Sequence, residues 1–217
     1  MKPTDILGNI KLYNADCMEV MKTFKDKQFG LAIIDPPYKN EFNITANEKA
    51  AKVKKHYDLN SLNNSKPTNE YFNEIKRVSK NQIIWGVNYY DYYLGAGRIV
   101  WDKDNTGVYS DCELAYQSFS DVTRKFQWRW NGMLQQNMKN KEDRIHPTQK
   151  PVQLYKWLLK NYAEEGDTIL DTHFGSLSIG IACHDMKFDL TAIELDKDYY
   201  EQAKQRLIYH QRQLTLF

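Results

Sequence analysis

A chain of 217 residues with 41% hydrophobic and 13% aromatic content is long enough to bury a full core in one large domain. No apolar run approaches the roughly 18 residues a membrane span needs, and the opening MKPTDILGNIK lacks the apolar stretch of a secretion signal, so a cytoplasmic protein is expected. The formal charge is only +2, and Cys17, Cys112 and Cys183 are widely spaced and odd in number, which argues against a disulfide framework or a CxxC metal site.

In chain order, Ile10 to Asn14 reads as a strand and residues 17–24 as a helix. Phe29 to Asp35 follows as an unalternating apolar strand, the kind covered on both faces, and it ends at Asp35-Pro36-Pro37-Tyr38. The two prolines stop normal ladder bonding and fix the local carbonyl directions by covalent geometry. Residues 67–79 form a helical pattern, and Gln82 to Gly86, Arg98 to Trp101 and Cys112 to Phe119 are strand-like. An amphipathic helix from Val152 to Tyr162 precedes a strand at Thr168 to Asp171, a helix at Ser176 to Asp185, a strand at Leu190 to Glu194 and a helix at Lys197 to His210. This alternation predicts an α/β fold, a mostly parallel twisted sheet with helices on both faces.

Two segments break the rhythm. Residues 39–66 are polar, rich in Asn and Lys, and read as a mobile loop insertion; residues 103–145 read as a second, small insertion within a single domain. Residues 36–66 carry six lysines against three acids and residues 123–150 seven basic residues against two acids, so the rest of the chain is acidic. Two basic segments on an acidic body fit a polyanion, which makes Lys39, Lys52, Lys54, Lys55, Arg124, Lys125 and Arg129 candidate DNA contacts. Phe126, Trp128 and Trp130 alternate, which suits either base stacking or one buried face of a β hairpin.

The stretch from Glu164 onward places a strand ending in Asp171, a turn at Gly175, a helix, and a second strand ending in Glu194. An acid at the end of that second strand is placed to accept bonds from two ribose hydroxyls. The turn Gly175-Ser176-Leu177-Ser178 lacks the second glycine of GxGxxG, so a nucleoside ligand without pyrophosphate is expected.

Four blocks, Asn14-Ala15-Asp16-Cys17, Asp35-Pro36-Pro37-Tyr38, His146-Pro147-Thr148-Gln149-Lys150-Pro151 and Asp171-Thr172-His173-Phe174-Gly175-Ser176, carry a resemblance in order and spacing over about three quarters of the chain. The sequence resembles the amino-methyltransferases among S-adenosylmethionine-dependent DNA methyltransferases, in the circularly permuted β arrangement where DPPY precedes the cofactor motif. The resemblance implies a Rossmann-like methyltransferase fold in which the strands ending in Asp35 and Asp171 are neighbours. It implies S-adenosyl-L-methionine as cofactor, with S-adenosyl-L-homocysteine as product, and double-stranded DNA as partner; a homodimer is compatible with it, and no membrane or metal is called for. Catalysis falls to Asp35, Pro36, Pro37 and Tyr38. Glu194 is assigned to the ribose, Asp16 and Cys17 to the adenine, and Asp35, His146, Thr148, Lys150, Asp171, His173, Phe174, Gly175 and Ser176 to the rest of the cofactor pocket. His173 departs from the family's DPF pattern and Leu177 from its second glycine.

Asp35 and the Pro36 carbonyl can each accept one hydrogen of an exocyclic amine, aiming its lone pair at the methyl donor, while Tyr38 stacks on a base that has left the duplex. An Asp-headed motif in this family points to N6 of adenine, as in restriction–modification methyltransferases. N4 of cytosine, an inactive DNA- or cofactor-binding relative, and an enzyme acting on RNA or a protein amide remain as alternatives.

Overall fold

Every residue of Phe29–Ile34 is buried, and this strand lies in the middle of a nine-stranded sheet. The structure, a computed structural model, describes residues 1–38, 66–105, 110–131 and 134–214. Its strands are β1 (Asp5–Leu7), β2 (Ile10–Asn14), β3 (Phe29–Ile34), β4 (Ser79–Trp85), β5 (Arg98–Asp102), β6 (Cys112–Gln117), β7 (Thr123–Gln127), β8 (Trp130–Asn131), β9 (Leu134–Gln135), β10 (Thr168–Asp171) and β11 (Asp189–Glu194). Its α-helices are α1 (Cys17–Met21), α2 (Asn69–Val78), α3 (Val152–Tyr162), α4 (Ser178–Met186) and α5 (Lys197–Leu214), and a 3-10 turn spans Val87–Tyr89.

The main sheet runs β1-β2-β11-β10-β3-β4-β6-β5-β7. Pairing is parallel from β2 through β4 and antiparallel on both sides of β6. Strand residues alternate between two buried layers. Leu31, Ile33, Ile83 and Trp85 pack with α3, α4 and α5 on one face, while Ala32, Ile34 and Ile84 pack with α1 and α2 on the other. The fold is therefore the expected α/β class, a mostly parallel mixed sheet with helices on both faces. Among the described residues no helix is long and apolar enough to cross a membrane.

β10 pairs with β3 in parallel, Ile169 opposite Leu31 and Leu170 opposite Ala32. From β3 the chain moves through α2 to β4 on one side, and from β10 through α4 to β11 on the other. The order of strands thus reverses between Asp35 and Asp171, and such a reversal opens a crevice at the carboxyl ends of the strands.

The structure also revises several boundaries. β1 was not expected; it is short and pairs antiparallel with β2 along the edge. β4 begins at Ser79, directly out of α2, and α4 begins at Ser178 because Leu177 adopts a left-handed conformation, φ 57°. Segment 103–145 does not stand off as one insertion: β6 and β7 belong to the main sheet, with β6 between β4 and β5, leaving residues 128–145 with the β8–β9 hairpin outside it. Of the expected loop insertion at 39–66, residues 39–65 lie outside the described residues.

Candidate active site

The crevice holds a cavity of about 450 Å³, within the range of small-ligand sites. Its wall is drawn from all four sequence blocks: Asp16 and Cys17 entering α1, Asp35 to Tyr38 after β3, His146 to Lys150 before α3, and Thr172 to Ser176 after β10, closed by Glu194 from β11. Of the expected catalytic and cofactor residues, Asp171 alone is not on that wall; it lies beneath it, 2% exposed.

Asp35 is held at the end of β3 in a setting few carboxylates tolerate. Its Oδ2 contacts the Lys150 ammonium, while Oδ1 is buried with no partner among the described residues. Burial pushes the Asp35 carboxyl above its ordinary value, against the pull of Lys150 and with the push of Glu113. Burial also opposes the charge on Lys150, but the Asp35 and Glu113 carboxylates outweigh it and hold the ammonium well above the ordinary lysine value.

Tyr38 lies flat on Tyr89, ring centroids 4.4 Å apart and planes 6° from parallel. Gly86 makes this arrangement possible. Its φ is +76°, and a Cβ there would sit 2.7 Å from the Tyr38 ring and 2.9 Å from the Tyr90 hydroxyl. That hydroxyl lies 3.0 Å from the Pro36 carbonyl and 3.1 Å from the Trp85 carbonyl, a donor to either. The Pro36 oxygen, expected to be open to an amine hydrogen, thus already faces the Tyr90 hydroxyl, and its second lone pair is what remains.

At the other end of the cavity, Glu194 Oε2 accepts from the Gly175 N–H at 2.9 Å and Oε1 from the Asp196 N–H at 3.0 Å. These bonds fix the carboxylate while leaving each oxygen a further lone pair. Asp16 caps α1, its Oδ1 accepting from Met18 N at 2.8 Å and Glu19 N at 3.2 Å. Burial pushes the Asp171 carboxyl up to about 8, against the His173 N–H that donates to its Oδ1 at 3.0 Å.

Both pocket histidines are neutral wall residues. Burial brings His146 and His173 each down to about 4. His146 Nδ1 lies 3.1 Å from the Thr148 hydroxyl and its ring meets Tyr199 edge-on at 4.3 Å. His173 Nε2 lies 3.9 Å from Cys17 Sγ, whose thiol burial pushes up to about 12. Leu177, by contrast, does not enter the cavity. It is 1% exposed and its side chain packs against Gly180, where an added Cβ would meet Leu177 Cγ at 2.6 Å.

Sequence reasoning missed several members of the site. Tyr71 of α2 lines the cavity and its hydroxyl lies 2.5 Å from that of Thr172, which binds the helix to the β10 turn. Thr68, the cap of α2, Gln149, Tyr155 and Asp196 line it as well. Only the amphipathic pattern of α2 hinted that one of its faces points inward.

The expected DNA contacts are not part of this wall. Lys39, Lys52, Lys54 and Lys55 lie outside the described residues. Arg124, Lys125 and Arg129 are exposed on or just after β7, but Lys125 Nζ lies 3.2 Å from Asp102 and Arg129 pairs with Asp104. Phe126 and Trp130 are buried, and the Trp130 N–H donates to the Gln149 carbonyl at 2.9 Å. The aromatic alternation therefore serves the core, Phe126 from a strand paired in parallel with β5 and Trp130 from the β8–β9 hairpin.

Comparison with known proteins agrees with this geometry. The family model described as DNA methylase, N6_N4_Mtase, matches residues 98–205. The type II methyltransferase M2.MboI of Moraxella bovis is 25% identical over 243 residues, covering 94% of this chain and 88% of that one. M.HpaI of Haemophilus parainfluenzae is 38% identical over 68 residues, 31% of this chain but only 22% of that longer protein. Among solved structures, the complex of M1.HpyAVI with SAM superposes with a TM-score of 0.58 at 21% identity, covering 91% of this chain and all (100%) of that one. The cytosine-N4-specific PvuII DNA methyltransferase gives 0.60 at 12% identity, covering 94% and 88%. With its sheet order, its crevice and its four sequence blocks in one place, the chain belongs to the N6/N4 DNA methylase family of amino-methyltransferases.

Proposed function

We propose that the chain transfers the methyl group of S-adenosylmethionine to the N6 amino group of an adenine flipped out of duplex DNA. The observation that carries this reading is Asp35 Oδ1, a buried carboxylate oxygen without a partner among the described residues, at the strand end beside the donor-side strand β10. Leaving such an acceptor unsatisfied costs about 1–3 kcal/mol, and an amine hydrogen supplies its missing bond.

The residues present fit the donor. Asp35 and Glu194 lie on one cavity wall, an acidic setting for a cationic ligand, with Asp171 buried beneath it. Glu194 has lone pairs for the two ribose hydroxyls, and Cys17, Tyr71 and His173 form a neutral wall at the nucleoside end. When bound, S-adenosylmethionine supplies an electrophilic methyl group on a sulfonium sulfur.

The chain's own part is to prepare the acceptor. An exocyclic amine is a poor nucleophile because its lone pair is delocalised into the ring. Asp35 Oδ1 and the remaining lone pair of the Pro36 carbonyl each accept a hydrogen bond from one amine N–H, which turns the nitrogen lone pair toward the methyl group, and the single proton the methylated nitrogen sheds passes to Asp35 Oδ1. Both acceptors are fixed before the reaction, Asp35 by Lys150 and Pro36 by its ring and Tyr90, so little reorganisation is needed in the transition state. Tyr38, backed by Tyr89, offers an aromatic face to the flipped base.

The Asp at the head of DPPY favours adenine, and the fold, shared with a cytosine-N4-specific enzyme, does not choose between the bases. Incubating the protein with isotopically labelled donor and duplex DNA, then digesting to nucleosides, is expected to place label in N6-methyldeoxyadenosine. Label in N4-methyldeoxycytidine would overturn the base assignment, and absence of label from DNA the whole reading.

A further inference from the structure

Behind Asp35 stands a row of charges that methyl transfer does not itself require. Lys150, with 2% of its side chain exposed, contacts Asp35 Oδ2 and lies 3.0 Å from Glu113 Oε2. Glu113 Oε1 in turn meets Lys103. β3 and β6 are separated by β4, so Lys150 spans the top of β4 to touch both carboxylates, its ammonium 5.4 Å from the Trp85 ring centroid. The result is an alternating line of acid, base, acid and base along one edge of the sheet, past the carboxyl ends of β3, β4 and β5 and the amino end of β6. Glu113 belongs to none of the four sequence blocks and is not on the cavity wall.

An ammonium has three donors and no acceptor. If it faced Asp35 alone in this buried setting, it would be free to cover both carboxylate oxygens and neutralise the group. Glu113 takes one of its directions and anchors the lysine two strands away, and Lys103 compensates the second acid. We propose that Glu113 is a positioning residue for methyl transfer: by sharing Lys150 across β4, it confines the ammonium to Oδ2 of Asp35 and leaves Oδ1 an open, charged acceptor for the target amine. This inference rests on the amino-methyl transfer reading above.

The other titratable groups facing Asp35 are Asp171 from β10, Tyr38, Tyr90 and Tyr155. Burial keeps the three tyrosines neutral and pushes the Asp171 carboxyl up to about 8. Glu113 raises and Lys103 lowers the Asp35 value, so their removal has opposite signs.

The test is a pH titration below 7 of the Asp35 carboxyl by 13C NMR in the donor-free full chain, with the resonance assigned by its loss in Asp35→Asn. Glu113→Gln is expected to lower the midpoint by about one unit and Lys103→Met to raise it. At saturating donor, single-turnover transfer by Glu113→Gln is expected to fall about tenfold with donor affinity unchanged. Midpoints that stay at the wild-type value in variants that still bind donor would overturn the proposal. Should Glu113→Gln fail to fold, Lys103→Met decides alone, an unmoved midpoint overturning the proposal and a raised one supporting it. Midpoints that move while the wild type transfers no methyl support the charge row and sink the functional reading; robust transfer with unmoved midpoints does the reverse.

Discussion

Asp35 concentrates the chemistry of the site in one carboxylate whose two oxygens have different tasks, one bonded to Lys150 and one open. Replacing it by alanine is expected to cut single-turnover methyl transfer by about 10²–10⁴-fold, while donor affinity, which depends on Glu194 and the β10 turn, stays within a few-fold. Equilibrium dialysis with labelled donor beside a rapid-quench assay checks this, and equal loss of both would count against the division of labour. The places of Asp35 and Tyr38 were legible because both follow a strand inside a recognisable block, and that of Glu194 because it ends the second strand after the glycine turn. Glu113 and Tyr90 were not, since each gains its role only when the sheet brings it beside a residue far away in the chain. A single acid within a strand-like run carries no local sign that it will face a buried lysine.

At the level of elements, the turn from β10 into α4 shows how a departure from the usual glycine pattern is absorbed. Leu177 takes the left-handed conformation that glycine adopts freely, at a cost of about 1–2 kcal/mol, and turns its side chain into the core against Gly180. Its direction depends on that backbone angle, which composition does not reveal, so Leu177 was legible only as a departure from the second glycine and not as a core residue. The same turn buries Asp171. Its folded value of about 8 lies above the ordinary 3.8, so between those values the folded state holds a proton that the unfolded chain has released. Its contribution to stability is therefore fully present below about pH 4 and declines as pH rises through 8. Asp171→Asn is expected to flatten that decline, so wild-type and variant melting temperatures should diverge between pH 5 and 8; parallel curves would show that Asp171 is not the group responsible. The same titration predicts that a cationic donor binds more tightly as pH rises through 8, a trend absent from the asparagine variant.

Over the whole molecule, the parallel sheet was legible from the alternation of elements, whereas the meeting of β3 and β10 was legible only through the family resemblance carried by the four blocks, Asp35 and Asp171 being 136 positions apart. The long central segment was less so. β6 and β7 are antiparallel and parallel neighbours of the same strand, β5, and no short-range pattern distinguishes an insertion from strands returned to the main sheet. The basic segments were visible as charge, but their partners were not: Asp102 and Asp104 already offset Lys125 and Arg129. Neutralising Arg124 together with Lys125 is accordingly expected to reduce the salt dependence of duplex affinity by a slope of about one, rather than the two that isolated charges would contribute. Fluorescence titrations over a range of salt concentrations measure it, and an unchanged slope removes both from the phosphate contacts.

Strand β11 pairs in parallel with β2 from Leu190 opposite Ile10 to Glu194 opposite Asn14, and β10 fills the gap between β11 and β3. During synthesis, β2 and β3 therefore leave the ribosome long before β11 and β10 exist, each with one open apolar flank. A nascent chain of this topology cannot join the two parts of its sheet until β10 and β11 emerge, which makes closure of the cleft a late, long-range step of folding.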